Sequence, residues 1–196
     1  MYFIIFEQGL KDKCDLSSYE IMFTILSAAA HDIDHPGSNN VFETKNQSKL
    51  AVLYNDISVL ENHHAASFFF LLDNMNYNCN IFSAFSSNLK ADARKMIIEN
   101  ILCTDMSKHF ALQAEIKGIS ELSESEQDFK GKNKLNLIKC MVHAVDIGNP
   151  TRKFPIAFLW GKKIVQEFFD QGDKERALGL PIAFGCDRHT GNFAKS

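Results

Sequence analysis

The sequence predicts an all-α fold. Apolar residues recur at helical spacing through most of the chain. No segment alternates apolar and polar residues in the way a half-buried strand would. Glycine and proline gather where the apolar stretches stop, at Pro36-Gly37, Gly148 to Pro150, Gly172 and Gly179 to Pro181.

The elements follow in order. Met1 to Phe6 is apolar but meets Glu7 at once. It is too short to span a bilayer, which takes about 20 apolar residues, and it lacks the basic flank of a signal peptide. It reads as the interior of a helix whose start lies outside the chain. Ser17-Ser18 can cap a helix with Ile21, Ile25, Leu26 and Ala29 on its apolar side, leading to His31. Asn55-Asp56 precede a helix that runs from Val59-Leu60 through Leu72. Asp92 opens another, with Met96, Ile97, Ile101 and Leu102 as its buried face. Leu135, Leu137, Ile138, Met141 and Val142 lead towards Asp146, and Ile156 to Phe169 forms a helix ended by Gln171-Gly172-Asp173. The charged stretch from Ser120 to Lys134 reads as an exposed connection. There is no repeat and no low-complexity tract.

The chain has 196 residues and is 45% hydrophobic, enough for one domain with a real core. Net charge is −3, with Lys and Arg scattered, which gives no nucleic-acid surface. Cys14, Cys79, Cys103, Cys140 and Cys186 are widely spaced, odd in number and without a CxxC pair. They fit reduced thiols of an intracellular protein rather than a disulfide framework.

The chemistry concentrates in His31-Asp32-Ile33-Asp34-His35-Pro36-Gly37. Two imidazoles and two carboxylates within five residues suit Zn, Mn, Fe or Mg better than a packed core. His31 and Asp32 diverge by about 100° on a helix, so both can reach one metal only near a helix end. His31 and His35, at i and i+4, share a face of any helical turn. The plainer reading is a polar helix end. Three further polar clusters stand in apolar helical sequence: Glu61-Asn62-His63-His64, Thr104-Asp105 with His109, and His143 to Asn149 around Asp146. Together they point to one polar site reached from several helices.

The runs HDIDHPGSNN, LAVLYNDISVLENHH, ILCTDMSKHF, HAVDIGNPTR, EFFDQGDKE and CDRHT…AKS resemble, in order and spacing, the catalytic domain of the class I 3′,5′-cyclic nucleotide phosphodiesterases. The resemblance covers about Leu26 to Ser196 and implies a compact all-α bundle of the His-Asp metal phosphohydrolase type, with residues 1–196 as a central portion of the domain. It implies hydrolysis of cAMP or cGMP to the 5′-monophosphate by hydroxide activated by two divalent metals, in signal transduction. By resemblance His31, Asp32 and Asp146 are metal ligands, Asp32 touching both metals. Zn²⁺ is expected at the tighter site and Mg²⁺ or Mn²⁺ at the second. His35, Glu61, Thr104 and Asp105 match positions that orient ligands and metal-bound waters. Asn149 matches a polar contact at the purine edge, and Ile164 and Phe168 match the walls of the base slot, with Met106 and Trp160 nearby. Pattern alone makes Ile164, Phe168 and Trp160 core positions. His63, His64 and His143 are read as structural, and His109 and His189 carry no role.

The chain departs from the pattern in places. The family's His-Asn-x-x-His motif, which brings one metal ligand and the general acid, has no counterpart within residues 1–196 and is expected upstream of residue 1. The family's base-binding Gln and clamping Phe are expected beyond Ser196, so the chain reads as a fragment inactive by itself. Val145 replaces a usual Ala, and Ala183-Phe184-Gly185 a common Ser-Pro-Met. The partner implied is a cyclic nucleotide. No nucleic acid and no membrane segment within the chain are expected, and any dimer contacts would lie outside it. The alternatives are a degenerate member that binds nucleotide or a protein partner without hydrolysis, and a more general nucleotide phosphohydrolase, which YNDISVLENHH and CDRHT…AKS disfavour.

Overall fold

The structure is a computed structural model and describes residues 1–190. Ala194-Lys195-Ser196, the end of the last matched run, lie outside the described residues. The chain order is α1 (Tyr2–Phe6), α2 (Leu10–Cys14), α3 (Ser18–Ala30), α4 (Asn40–Lys45), α5 (Lys49–Leu53), α6 (Val59–Asp73), α7 (Ser87–Leu102), α8 (His109–Ser120), α9 (Glu124–Gln127), α10 (Lys134–Asp146) and α11 (Phe154–Ala177). Short 3₁₀ turns, Met106–Lys108 and Asn149–Thr151, precede α8 and α11. No strand occurs among the described residues, so the all-α expectation holds.

Two compact units divide the chain: Met1–Asp34 with Glu61–Asp146, and His35–Leu60 with the chain from Ile147 onward. The first is built on one apolar cluster, with Phe23 and Ala30 of α3, Ala65 and Phe68 of α6, Met96, Ile97 and Ile101 of α7, and Leu137, Ile138 and Val142 of α10. Phe23 stacks edge-on against Phe82, centroids 6.1 Å apart, and Ile97 and Ile101 are fully buried.

Helix α3 starts where its sequence says it should. The Ser17 side chain accepts from Glu20 N, and the Glu20 carboxylate accepts from Ser17 N at 2.8 Å, a capping box. Its buried face differs from the expected one. Phe23, Thr24, Ser27 and Ala30 are buried, Ile21, Ile25 and Leu26 are half-buried, and Ala29 is exposed. Burying Thr24 and Ser27 costs little because their hydroxyls donate to Glu20 O and Phe23 O, both at 2.7 Å. Asn100 of α7 then donates its amide to Ser27 Oγ at 3.2 Å across the core. Helix α7 begins at Ser87, not Asp92, because the Ser86 hydroxyl accepts from Leu89 N. Cap chemistry outranks the first acidic residue there.

The second unit is joined by buried polar groups. Gln171 and Glu175 of α11 are 2% and 0% exposed. Gln171 Oε1 accepts from Asn39 N at 2.9 Å, its amide donates to Glu175 Oε1, and Glu175 Oε2 accepts from Ala183 N at 2.7 Å. Helix α11 does not stop at Gly172, as its sequence suggests, but continues to Ala177. A Cβ on Gly172 would stand 1.9 Å from the Cys186 carbonyl oxygen. Glycine here allows two backbones to approach. Gly179, at φ +68°, follows the true helix end. No described helix is long and apolar enough to cross a membrane.

Candidate metal centre

Helix α3 ends at Ala30, and His31 is its C-cap. Residues 31–34 form a turn, and Asp34 lies in the left-handed region at φ +60°. The expected shared helical face of His31 and His35 is therefore not formed. The helix stops at Ala30, five residues before His35, not at Pro36. Leaving the helix here frees the adjacent His31 and Asp32 side chains from their 100° divergence.

His31 Nδ1 donates to Ala28 O at 2.9 Å, which leaves Nε2 for the site. Nε2 lies 2.9 Å from Asp146 Oδ1 and 3.3 Å from Asp32 Oδ2. One ligand atom from each of His31, Asp32 and Asp146 falls within 4.8 Å of the others. The hydrogen bond to Asp146, then that to Asp32, raises the His31 pKa from 6.5 to about 10. A site that holds a proton this firmly between two carboxylates also fits a divalent cation. The donor set of one imidazole nitrogen and two carboxylate oxygens is the kind zinc takes.

Asp146 is the last residue of α10, and His31 caps α3. Both helix C-termini bring partial negative charge to the same place, adding to the carboxylates.

The remaining expected residues are placed as follows. Glu61 sits half-buried in the first turn of α6. Thr104 and Asp105 are 8% and 6% exposed after α7. Thr104 Oγ1 donates to Ile101 O at 2.8 Å, which keeps its lone pairs as acceptors. Asp105 accepts from Ser107 N at 2.8 Å and so caps the 3₁₀ turn that follows. Met106 is exposed in that turn. In the second unit, His35 Nδ1 accepts from Gly37 N at 3.0 Å, and Asn149 opens its own 3₁₀ turn. Trp160, Ile164 and Phe168 form an i, i+4, i+8 stripe along α11. They are 49%, 37% and 38% exposed, so the pattern-based assignment to the core is corrected. Most of the N-terminal half of α11 is solvent-facing, and helical spacing cannot tell which apolar stripe is covered.

His63, His64 and His143, read from the sequence as structural, are each hydrogen-bonded. His64 is 2% exposed, donates Nδ1–H to Ile33 O at 2.8 Å and brings Nε2 to 3.6 Å from Asp32 Oδ1. His63 Nε2 lies 2.9 Å from Asp34 Oδ2. His109 Nδ1 and His143 Nε2 form an imidazole pair at 2.9 Å. The one sequence signal was the HH doublet in an apolar helix.

Residues 1–196 match the family model described as 3′5′-cyclic nucleotide phosphodiesterase. The chain is 40% identical over 187 residues to the 3′,5′-cyclic-AMP phosphodiesterase 4C of Rattus norvegicus, covering 90% of this chain and 34% of that protein. The Mus musculus 3′,5′-cyclic-AMP phosphodiesterase 4C is also 40% identical over 187 residues, covering 90% of this chain and 26% of its own length. The Drosophila melanogaster 3′,5′-cyclic-AMP phosphodiesterase, isoform F, is 39% identical over 182 residues, 90% of this chain and 27% of that protein. The chain spans about a third or less of the length of these curated relatives. With its full length matched, and with an all-α fold that brings His31, Asp32 and Asp146 together, the chain belongs to the 3′,5′-cyclic nucleotide phosphodiesterase family.

Proposed function

We propose that the chain carries the metal-binding and nucleotide-binding part of an enzyme that hydrolyses the cyclic phosphodiester of a 3′,5′-cyclic nucleotide to the 5′-monophosphate, with cAMP as the preferred substrate. The observation that carries this is the convergence of His31 Nε2 with the Asp32 and Asp146 carboxylates. The relatives named as cyclic-AMP phosphodiesterases support the substrate. Asn149 leans the same way.

His31, Asp32 and Asp146 would hold a tighter, zinc-like cation, and Asp32 would also serve a second, Mg²⁺ or Mn²⁺. When bound, such cations neutralise phosphoryl charge and supply hydroxide near neutral pH. The chain's own groups do the positioning. His31 is oriented by the Ala28 carbonyl, and Asp32 stands on the turn that follows α3. Glu61, Thr104, Asp105 and His35 provide acceptors that order water. Within the second unit Asn149 would contact the purine edge, with Ile164, Phe168 and Trp160 as apolar surroundings. The free cysteines fit a reducing, intracellular compartment.

No side chain within residues 1–196 is assigned the protonation of the leaving 3′ oxygen. The assay therefore compares this chain alone with a chimera in which the flanking segments of the rat relative are joined to it. Metal content and hydrolysis of cAMP and cGMP are measured with Mg²⁺ or Mn²⁺. The chimera is expected to cleave cAMP faster than cGMP, and the chain alone to turn over neither. A chimera that binds metal and cyclic nucleotide without cleaving it would support the non-catalytic reading instead.

A further inference from the structure

The turn carrying Asp32 is held at two points by neighbouring residues of α6, and the metal-site reading gives neither of them a role. We propose that His63 and His64 are positioning residues that set this turn, His64 through the Ile33 backbone and His63 through the Asp34 side chain. The inference rests on the reading of His31, Asp32 and Asp146 as cation ligands.

The geometry is specific. His64 is 2% exposed, and its Nδ1–H donates to Ile33 O at 2.8 Å. That carbonyl belongs to the peptide unit joining Ile33 to Asp34, one residue beyond Asp32. His63 Nε2 lies 2.9 Å from Asp34 Oδ2. Asp34 has φ +60°, a left-handed conformation that costs a non-glycine residue free energy unless its surroundings hold it. The chain just after Asp32 is thus tied at two successive points, the Ile33 carbonyl and the Asp34 carboxylate, to one turn of helix. Asp32 itself has 62% of its side chain exposed, so packing alone does not aim it. Beside the imidazoles of His31 and His64, at 3.3 and 3.6 Å from its oxygens, the path of the backbone beneath it aims it. The adjacent histidines divide the work because neighbouring positions on a helix point about 100° apart. His64 reaches inward to a carbonyl, and His63 reaches outward to a carboxylate.

The two nitrogens of His64 can be tested separately. An asparagine amide reproduces the Nδ1 donor, and a glutamine amide reproduces the Nε2 end. In the full chain, zinc and manganese binding is measured by elemental analysis and calorimetry for His64→Asn, His64→Gln, His63→Ala and Asp32→Asn. Thermal unfolding and amide hydrogen exchange at residues 32–34 are followed alongside. His64→Gln should weaken metal binding by about 10–100-fold, the range for residues that orient ligands, while His64→Asn stays within about threefold of the parent. His63→Ala should speed exchange at residues 32–34 with a smaller loss of affinity, because its partner Asp34 is mostly exposed.

Equal metal affinity in His64→Asn and His64→Gln, with both folded, overturns the role of the Ile33 carbonyl. If either His64 variant fails to unfold cooperatively, the exchange rates in His63→Ala decide, and parental rates there overturn the proposal. Retention of metal by Asp32→Asn would instead refute the cation-site reading itself.

Discussion

Nε2 of His31, the C-cap of α3, lies 2.9 Å from Oδ1 of Asp146, the last residue of α10, across 115 positions of sequence. Two helix C-termini and two carboxylates converge on a single imidazole nitrogen there. Such a concentration of negative potential favours a proton or a cation there.

Asp32→Ala should abolish turnover of the chimera with the rat relative's flanking segments, because Asp32 is the carboxylate assigned to both cations. The loss should exceed the about 10–100-fold expected when a residue merely orients a ligand. Glu61→Ala should leave the tighter cation bound and weaken the second. Elemental analysis together with cAMP hydrolysis separates the two, and a near-normal rate in Asp32→Ala would sink the two-metal mechanism.

The pKa of His31 rises from 6.5 to about 10 in the fold, through Asp146 first and Asp32 second. A raised folded-state pKa stabilises the protonated side. In chelator-treated protein this stabilisation is fully present below pH 6.5 and is lost as pH rises through about 10. A divalent cation must displace the same proton, so its affinity should climb with pH over that window. Thermal midpoints and metal titrations across the range measure both effects. His31→Gln should remove this contribution from the stability slope.

Gly172→Ala and Gly118→Ala should move stability in opposite directions. At Gly172 the new methyl meets the Cys186 carbonyl oxygen at 1.9 Å, and overpacking of this kind costs about 1–3 kcal/mol or more. At Gly118, within α8, nothing lies within 4 Å of the added Cβ. That change should stabilise by up to about 1 kcal/mol through helix propensity and a less flexible unfolded chain. Denaturant midpoints with unchanged slopes would register both.

Ser17→Ala removes the hydroxyl that accepts from Glu20 N at the start of α3. The expected cost is about 0.5–2 kcal/mol. Helix α3 delivers His31 to the site, so hydrogen exchange in its first turn should quicken before any loss of metal. Uniform exchange along α3 would argue against the capping box as the anchor.

Local rules made much of the fold legible in the sequence. The capping box at Ser17, the period of α10 from Leu135 to Val142 and the absence of alternating segments all depend on near neighbours in the chain. The ordered motifs were legible too, because metal and phosphate chemistry admits few residue types. The misreadings share a physical cause. Gly172 looked like a helix end because a glycine's local preference is visible in sequence, whereas the approach of the Cys186 backbone is not. Ile21, Ile25, Leu26 and Ala29 stood for the covered side of α3, and the burial of Thr24 and Ser27 was not visible because their bonds to carbonyls one turn back appear only once the helix exists.

Residue types and their order along the chain suffice for the helical class, the family and the groups able to hold a cation. Packing sets the rest: His31 and Asp146 face each other at 2.9 Å, α3 ends before Asp32, and His64 reaches the Ile33 carbonyl. It also decides that Trp160, Ile164 and Phe168 stand largely open along α11. Periodicity states which residues share a face. Which face is covered, and which distant side chain completes a site, depends on packing between helices far apart in the chain.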